Sequence, residues 1–125
     1  MNLTRLIGAG LLVVGAGCTP TTPSAIQVAD GVSVVESALN AWRNSEQVQS
    51  LREARDSIFV ADPRWESGWK LEDFKIVDQA VDGYQARCKV ALTLVDLKGK
   101  TTKETAEYLA TASPKKTLTR TSEGW

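Results

Sequence analysis

Cysteine is the residue type in this chain best able to form or break covalent bonds, and it occurs twice, as Cys18 and Cys88. A nucleophilic cysteine needs a neighbouring base and an accessible, electropositive setting. The usual base is histidine, which is also the commonest metal ligand, and the chain contains none. Cys88 lies at an apolar position of a regularly alternating stretch, which predicts a buried and unreactive thiol. The chemistry of Cys18 depends on the residues that precede it.

Carboxylates are the remaining side chains that could catalyse a reaction, and their spacing does not favour it. Glu72 and Asp73 are adjacent in a predicted strand, so they point to opposite faces and cannot form a two-carboxylate site together. Asp78 and Asp82 flank a turn, and turn chemistry explains them better than metal binding does. The sequence therefore predicts no catalytic residue, no bound metal and no cofactor. An enzyme that uses carboxylates alone stays open as an alternative, with Glu72 or Asp73 as its acid.

The first 18 residues have the layout of an export signal. Arg5 provides a positive charge, residues 6–14 are apolar, and the small residues 15–17 (Gly-Ala-Gly) lead into Cys18. That order is typical of a secretory signal peptide. A cysteine directly after the small residues resembles the lipobox of bacterial lipoproteins, in which the thiol is acylated and the peptide is cut in front of it. The resemblance implies a signal peptide at 1–17 and lipidation of Cys18; ordinary cleavage after Ala16 or Gly17, giving a secreted protein, is the alternative.

The residues that follow this predicted signal suit one domain. Residues 18–23, which contain two prolines and three threonines, are predicted to form an extended tether, and 24–125 suit a single domain. The charges balance at 15 basic and 15 acidic residues, so no basic stripe indicates nucleic acid as a partner. We expect an exported lipoprotein that faces the periplasm. Thr19, rather than aspartate, after Cys18 resembles the sorting default for the outer membrane.

Apolar periodicity predicts an α+β fold. One amphipathic helix is indicated by a stripe at spacings of three and four, formed by Val28, Val32, Val35, Leu39 and Trp42. A second short helix is predicted within residues 45–54. Strands are predicted at 57–61, 69–77, 84–95, 101–111 and 115–121. The first is predicted to end at an Asp62-Pro63 turn, the second to have a bulge or an edge near Glu72-Asp73, and the second and third to be joined by a hairpin turn at Asp82-Gly83. The expected architecture is one or two N-terminal helices packed on a four- to five-stranded antiparallel meander sheet.

Four blocks of the sequence resemble a family of small uncharacterised bacterial proteins. They are residues 38–42, 60–71, 87–94 and 108–114, and the resemblance covers roughly residues 34–121. It implies no catalytic residue in this chain. The order of a helix followed by a curved sheet is also similar to the cystatin-like and NTF2-like superfolds. That likeness is architectural, and such superfolds host many unrelated functions.

Tryptophans provide the remaining candidate contacts. Trp65 and Trp69 lie four residues apart around Gly68 in a predicted turn, where paired aromatic rings can stack on a sugar or peptide. The same residues can instead fold back and plug one end of a small core, which is the commoner role. The sequence thus favours a non-catalytic, membrane-anchored lipoprotein of the cell envelope that binds or braces an envelope partner. The alternatives are a module that binds a small apolar ligand between helix and sheet, and the carboxylate-only enzyme.

Overall fold

The computed structural model describes residues 27–121. In this range the chain forms helices α1 (Val28–Arg43), α2 (Val48–Glu53) and α3 (Pro63–Glu66), and strands β1 (Ile58–Ala61), β2 (Lys70–Asp82), β3 (Gln85–Val95), β4 (Thr101–Thr111) and β5 (Lys116–Arg120). The predicted signal peptide (1–17), the candidate lipidation site Cys18 and the predicted tether (18–23) lie outside the described residues. The predicted α+β class is confirmed, with the helices packed on one five-stranded sheet.

The sheet is mixed, and the predicted purely antiparallel meander is wrong at one edge. The strand order is β1-β5-β4-β3-β2, in which β2 to β5 form an antiparallel meander and β1 pairs in parallel with β5. A parallel pair needs a long crossover connection, and here α3 and strands β2 to β4 supply it. The alternation within residues 57–61 predicts a strand, but it does not indicate which strand β1 pairs with or in which direction.

The described residues form three helices rather than one or two, because a helical turn follows β1 where the sequence predicts only a turn. Asp62 is the N-cap of α3 and Pro63 occupies its first turn. Proline is tolerated there because an N–H at that position would have no partner within the helix. None of the helices within residues 27–121 is long and apolar enough to cross a membrane.

The predicted apolar stripe holds α1 against one face of the sheet. Val35, Leu39 and Trp42 are buried, whereas Val28 and Val32 near the start of the helix are half-buried. The wholly or almost wholly buried side chains of the sheet in the same cluster include Cys88, Val90, Leu92, Leu94, Tyr108 and Leu118. The burial of Cys88 was predicted, and burial raises the pKa of its thiol. Large side chains thus fill the layer between α1 and the sheet.

Strand β2 has the irregularity that the sequence predicts. Its register with β3 shifts between Leu71 and Asp73, and again between Ile76 and Asp78. Each such bulge leaves an extra residue unpaired and increases the local twist. Glu72, at the first bulge, and Asp73 are both exposed, and Asp73 forms a salt bridge of 3.3 Å with Arg43. The two carboxylates that were candidates for an inward-facing acid therefore point to solvent.

One end of the sheet, which we call the hairpin end, gathers two turns and the start of α1. Asp82 pairs with Gln85 across the β2–β3 turn, and residues 112–115 form the β4–β5 turn at the same end. Residues of the first turns of α1 line a small hollow together with Ala112 and Lys116. Helix α1 therefore begins at the hairpin end.

The opposite end, which we call the cleft end, carries residues 62–69 and the β3–β4 loop. Helix α1 ends there, since the indole Nε1 of Trp42 donates a hydrogen bond of 2.8 Å to the carbonyl oxygen of Trp69. This bond fixes the last turns of α1 to the segment that enters β2. The cleft end is thus where the predicted contact residues Trp65 and Trp69 lie.

Candidate functional site

The carboxylate of Asp62 is wholly buried beneath the cleft end. Its Oδ1 accepts hydrogen bonds from the backbone N–H of Arg64 and from Arg120 Nε, both at 3.0 Å, and its Oδ2 accepts one of 2.5 Å from the hydroxyl of Tyr108. The first bond caps α3, and the other two come from β4 and β5. A buried carboxylate is stable only when paired and hydrogen-bonded. Asp62 meets that condition with donors from three elements.

A second carboxylate extends this network to the surface. Glu104 accepts from Arg120 Nη1 at 3.1 Å and from Arg64 Nη2 at 2.6 Å. Burial alone would raise the pKa of Glu104, but the hydrogen bonds from the two arginines outweigh it and lower that pKa. The remaining donor of Arg120, Nη2, is buried and has no hydrogen-bond partner within residues 27–121. Two guanidinium groups and two carboxylates thus tie α3 to β4 and β5 with balanced charge.

Tyr108 is the neutral member of the network. Burial and the negative charge of Asp62 raise its pKa well above the ordinary value. The hydroxyl therefore keeps its proton at any pH near neutrality and acts as a fixed donor to Asp62. A proton held in this way stabilises the carboxylate.

Sequence reasoning identified Asp62 only as part of an Asp-Pro turn and overlooked its burial. The local signal for a helix start was present, because Asp followed by Pro is typical of an N-cap and first helical position. The burial itself comes from Tyr108 and Arg120, which lie 46 and 58 residues further along the chain. No pattern around residue 62 could reveal those partners.

The three tryptophans of the described chain converge above this network. The rings of Trp42 and Trp65 are stacked, with centroids 5.1 Å apart and planes 2° from parallel. Trp65 Nε1 donates to the carbonyl oxygen of Glu46 at 2.9 Å, as Trp42 Nε1 does to that of Trp69. Trp69 carries the guanidinium of Arg64 over its ring, 4.1 Å from the centroid. The network therefore reaches Trp69 directly through Arg64.

A cleft of about 230 Å³ opens beside these rings. Its lining consists of Trp42, Ser45, Glu46, Gln47, Trp65, Gly68, Trp69 and Lys70. Trp65 is only 5% exposed and forms the floor, as expected of a residue that plugs the core. Trp69 is half-buried and supplies a wall. The structure thus brings the two predicted contact residues together and adds Trp42 from α1.

The cleft offers few ionisable side chains. Its lining contains one acid, Glu46, and one base, Lys70, but neither Asp62 nor Tyr108. Both indole donors of the stacked pair are satisfied by backbone carbonyls, and both rings are almost wholly buried. Most of the accessible ring surface in the cleft therefore belongs to the half-buried Trp69. Within residues 27–121 no group of three or more acidic, cysteine or histidine side chains is arranged to hold a metal ion.

Comparison with known proteins assigns no family to this chain. No family model matches the chain, and no curated protein matches it. Among solved structures the chain is similar to a de novo designed NTF2 fold protein, NT-9, at 16% sequence identity and a TM-score of 0.43, over 80% of this chain and 89% of that chain. A likeness at this level assigns neither ligand nor activity to this chain.

The hydrogen bond from Tyr108 to Asp62 has a measurable contribution to stability. We expect Tyr108→Phe to lower the free energy of unfolding by about 1.5–3 kcal/mol at pH 7, because it leaves one oxygen of a buried charge without its donor and opens almost no cavity. The difference from the wild type should shrink above about pH 10. At such pH the unfolded wild-type chain loses the proton of Tyr108 readily, whereas the folded protein, in which the pKa of Tyr108 is raised, keeps it. This difference lowers the free energy of unfolding of the wild type. It does not affect the variant, which has no hydroxyl at this position.

Urea unfolding at several pH values measures both effects. Tyr84→Phe is the matched control, because Tyr84 is exposed and its hydroxyl should contribute less than about 0.5 kcal/mol. Equal stability of Tyr108→Phe and wild type at pH 7 would show that the bond does not hold the network.

Proposed function

We propose that the chain is a non-catalytic lipoprotein of the cell envelope, anchored through Cys18, that binds a partner protein at the cleft of Trp42, Trp65 and Trp69. The cleft is the observation that carries the proposal. Tryptophan is enriched among the residues that dominate binding energy at protein interfaces, especially where a few rings surround a small pocket. Here Trp42 and Trp65 are held by stacking and by their own hydrogen bonds, and the ring of Trp69 is covered by the guanidinium of Arg64. Little side-chain entropy is therefore lost when a partner binds.

The size of the cleft favours a protein partner over a free ligand. Sites that enclose whole small molecules have volumes of about 300–1,000 Å³, whereas this cleft has about 230 Å³. It can take one apolar or aromatic side chain of a partner, while the rim residues Ser45, Gln47 and Lys70 offer polar contacts around it. The filled layer between α1 and the sheet also supports an interaction role rather than an apolar ligand between them.

The buried Asp62 does not make the carboxylate-only enzyme the better proposal. A catalytic carboxylate must lie within hydrogen-bond reach of the reacting group. Both oxygens of Asp62 are already occupied by Arg64, Arg120 and Tyr108. Its role in the proposed function is to hold the segment that carries Trp65 and Trp69.

The anchor is tested by membrane fractionation of the exported protein. Wild type should sediment with membranes and resist extraction by high salt, because several buried acyl chains give a stable attachment. Cys18→Ser removes the acylated thiol and should release the protein into the soluble fraction. Cys88→Ser is the matched control and should stay with the membrane. A Cys18→Ser protein that still sediments at high salt would rule out lipid anchoring at this residue.

The cleft is tested by crosslinking in detergent extracts of the envelope. We expect Trp69→Ala to lose the specific partner that wild type captures, because truncation of an interface tryptophan typically costs about 2 kcal/mol or more, a roughly thirtyfold weaker affinity. Tyr84→Ala, an exposed aromatic residue at the hairpin end, should retain that partner. Circular dichroism must show both variants folded. Identical captured proteins for Trp69→Ala and wild type would exclude the cleft as the binding site.

A further inference from the structure

The proposed anchor attaches to the domain at its hairpin end. Eight residues, 19–26, separate Cys18 from Gln27, and α1 begins at Val28. A chain of this length spans at most about 30 Å. The hairpin end therefore lies within reach of the bilayer at any tether conformation. If the cleft end faced the bilayer instead, the tether would have to run back along the 16 residues of α1, which takes about 24 Å of its length.

Exposed apolar side chains lie at the same end. Val81 is 44% exposed and Tyr84 is 55% exposed. Val81 lies next to the last residue of β2, and Tyr84 lies in the turn between β2 and β3. Tyrosine is enriched where proteins meet the headgroup region of a membrane, since its ring is apolar and its hydroxyl is polar. An apolar hairpin tip of this kind suits the interface of a bilayer.

Basic side chains lie at the other corner of the hairpin end. A groove of about 330 Å³ is lined by Arg55, Asp56, Ser57, Phe59, Ala112, Pro114, Lys115 and Lys116, which gives three cations and one acid. Asp56 pairs with Lys116 at 2.6 Å, and Lys115 lies over the Phe59 ring. On the hairpin side, Asp82 is balanced by Arg87 at 2.9 Å. Asp30, in the first turn of α1, also lies at this end and lines the small hollow with Lys116. Four cations and three acids therefore leave one net positive charge at this end, and the excess lies in the groove.

The tip and the groove lie at the same end of the sheet, toward its two edges. They belong to strands at opposite sides of the sheet, β2–β3 for the tip and β5–β1 for the groove. At about 4.8 Å per strand interval the five strands extend over roughly 19 Å. This breadth suits a planar partner better than a narrow one.

We infer that the hairpin end docks on the bilayer that holds the anchor, with Val81 and Tyr84 among the headgroups and with Arg55, Lys115 and Lys116 against anionic phospholipids. The inference rests on the proposed anchoring at Cys18. Each cation close to an anionic membrane contributes about a fivefold gain in partitioning. Docking in this orientation leaves the cleft end, with Trp69, directed away from the membrane and open to a partner.

The test places an environment-sensitive fluorophore at either end of the membrane-extracted, full-chain protein. Tyr84→Cys labels the hairpin end and Leu97→Cys labels the cleft end, where Leu97 is 68% exposed. Cys88 is buried and Cys18 is acylated under the proposal, so the introduced thiol takes the label. Each protein is reconstituted into vesicles of phosphatidylcholine with phosphatidylglycerol, or of phosphatidylcholine alone.

We expect a blue shift of the label at 84 in the anionic vesicles, and an aqueous emission from the label at 97 in both. The shift at 84 should be lost in phosphatidylcholine alone and in a Tyr84→Cys protein that also carries Arg55→Glu and Lys115→Glu. An aqueous label at 84, or equal shifts at 84 and 97, overturns the orientation while leaving the anchor intact. Equal shifts at 84 in both kinds of vesicle overturn the role of anionic lipid. Absence of wild type from the membrane fraction overturns the anchor, and the orientation with it.

Discussion

The buried carboxylate of Asp62 is the constraint on which the cleft end depends. A charge at this position is unfavourable unless its partners are in place, and those partners come from the backbone of α3, from β4 and from β5. The energetic cost of leaving such a charge unpaired is about 3–5 kcal/mol. Separating these elements would therefore cost a large fraction of the free energy of unfolding of a small domain.

Helix α3 links this buried carboxylate to the tryptophans, although the helix is too short to be stable by itself. Helix α3 has four residues, and an isolated helix of that length is not stable in water. Its geometry depends on capping by Asp62 and on the stack of Trp65 with Trp42. Arg64, in the same turn, binds Glu104 and covers the ring of Trp69. A polar network beneath the surface thus sets the position of the tryptophan side chains that line the cleft.

Much of the fold follows from patterns within short segments of the sequence. The structure contains the apolar stripe of α1, the bulge at Glu72 and the burial of Cys88. It also contains the predicted hairpin between β2 and β3, with its turn at Gly83 and Tyr84, one residue further along than predicted. Each of these features depends on residues near one another. Local patterns cannot specify which strands pair over long distances. The parallel pairing of β1 with β5 was missed for that reason.

Local sequence patterns likewise predicted some residues of the candidate site and missed others. Trp65 and Trp69 could be singled out because an aromatic pair around a glycine is a local signal. Trp42 was predicted as a core residue, and only the packing of α1 against the start of β2 makes it a wall of the cleft. Asp62 was missed as a buried acid because its donors Tyr108 and Arg120 belong to the last two strands. Sequence reasoning looked for inward acids at the irregular strand β2, whereas the buried acid lies at a helix cap.

Hydrogen exchange at the backbone of the cleft end tests most directly whether Asp62 positions the tryptophans. The amides of Glu66, Ser67, Gly68 and Trp69 donate to carbonyl oxygens of residues 62–65. In Asp62→Ala these four amides should exchange much faster than in wild type, while the amides of β3 keep their protection. Glu72→Ala, which removes an exposed carboxylate, should leave all of them unchanged. Unaltered exchange of the four amides in Asp62→Ala would contradict the account, because it would show that the cleft end holds its shape without the buried carboxylate.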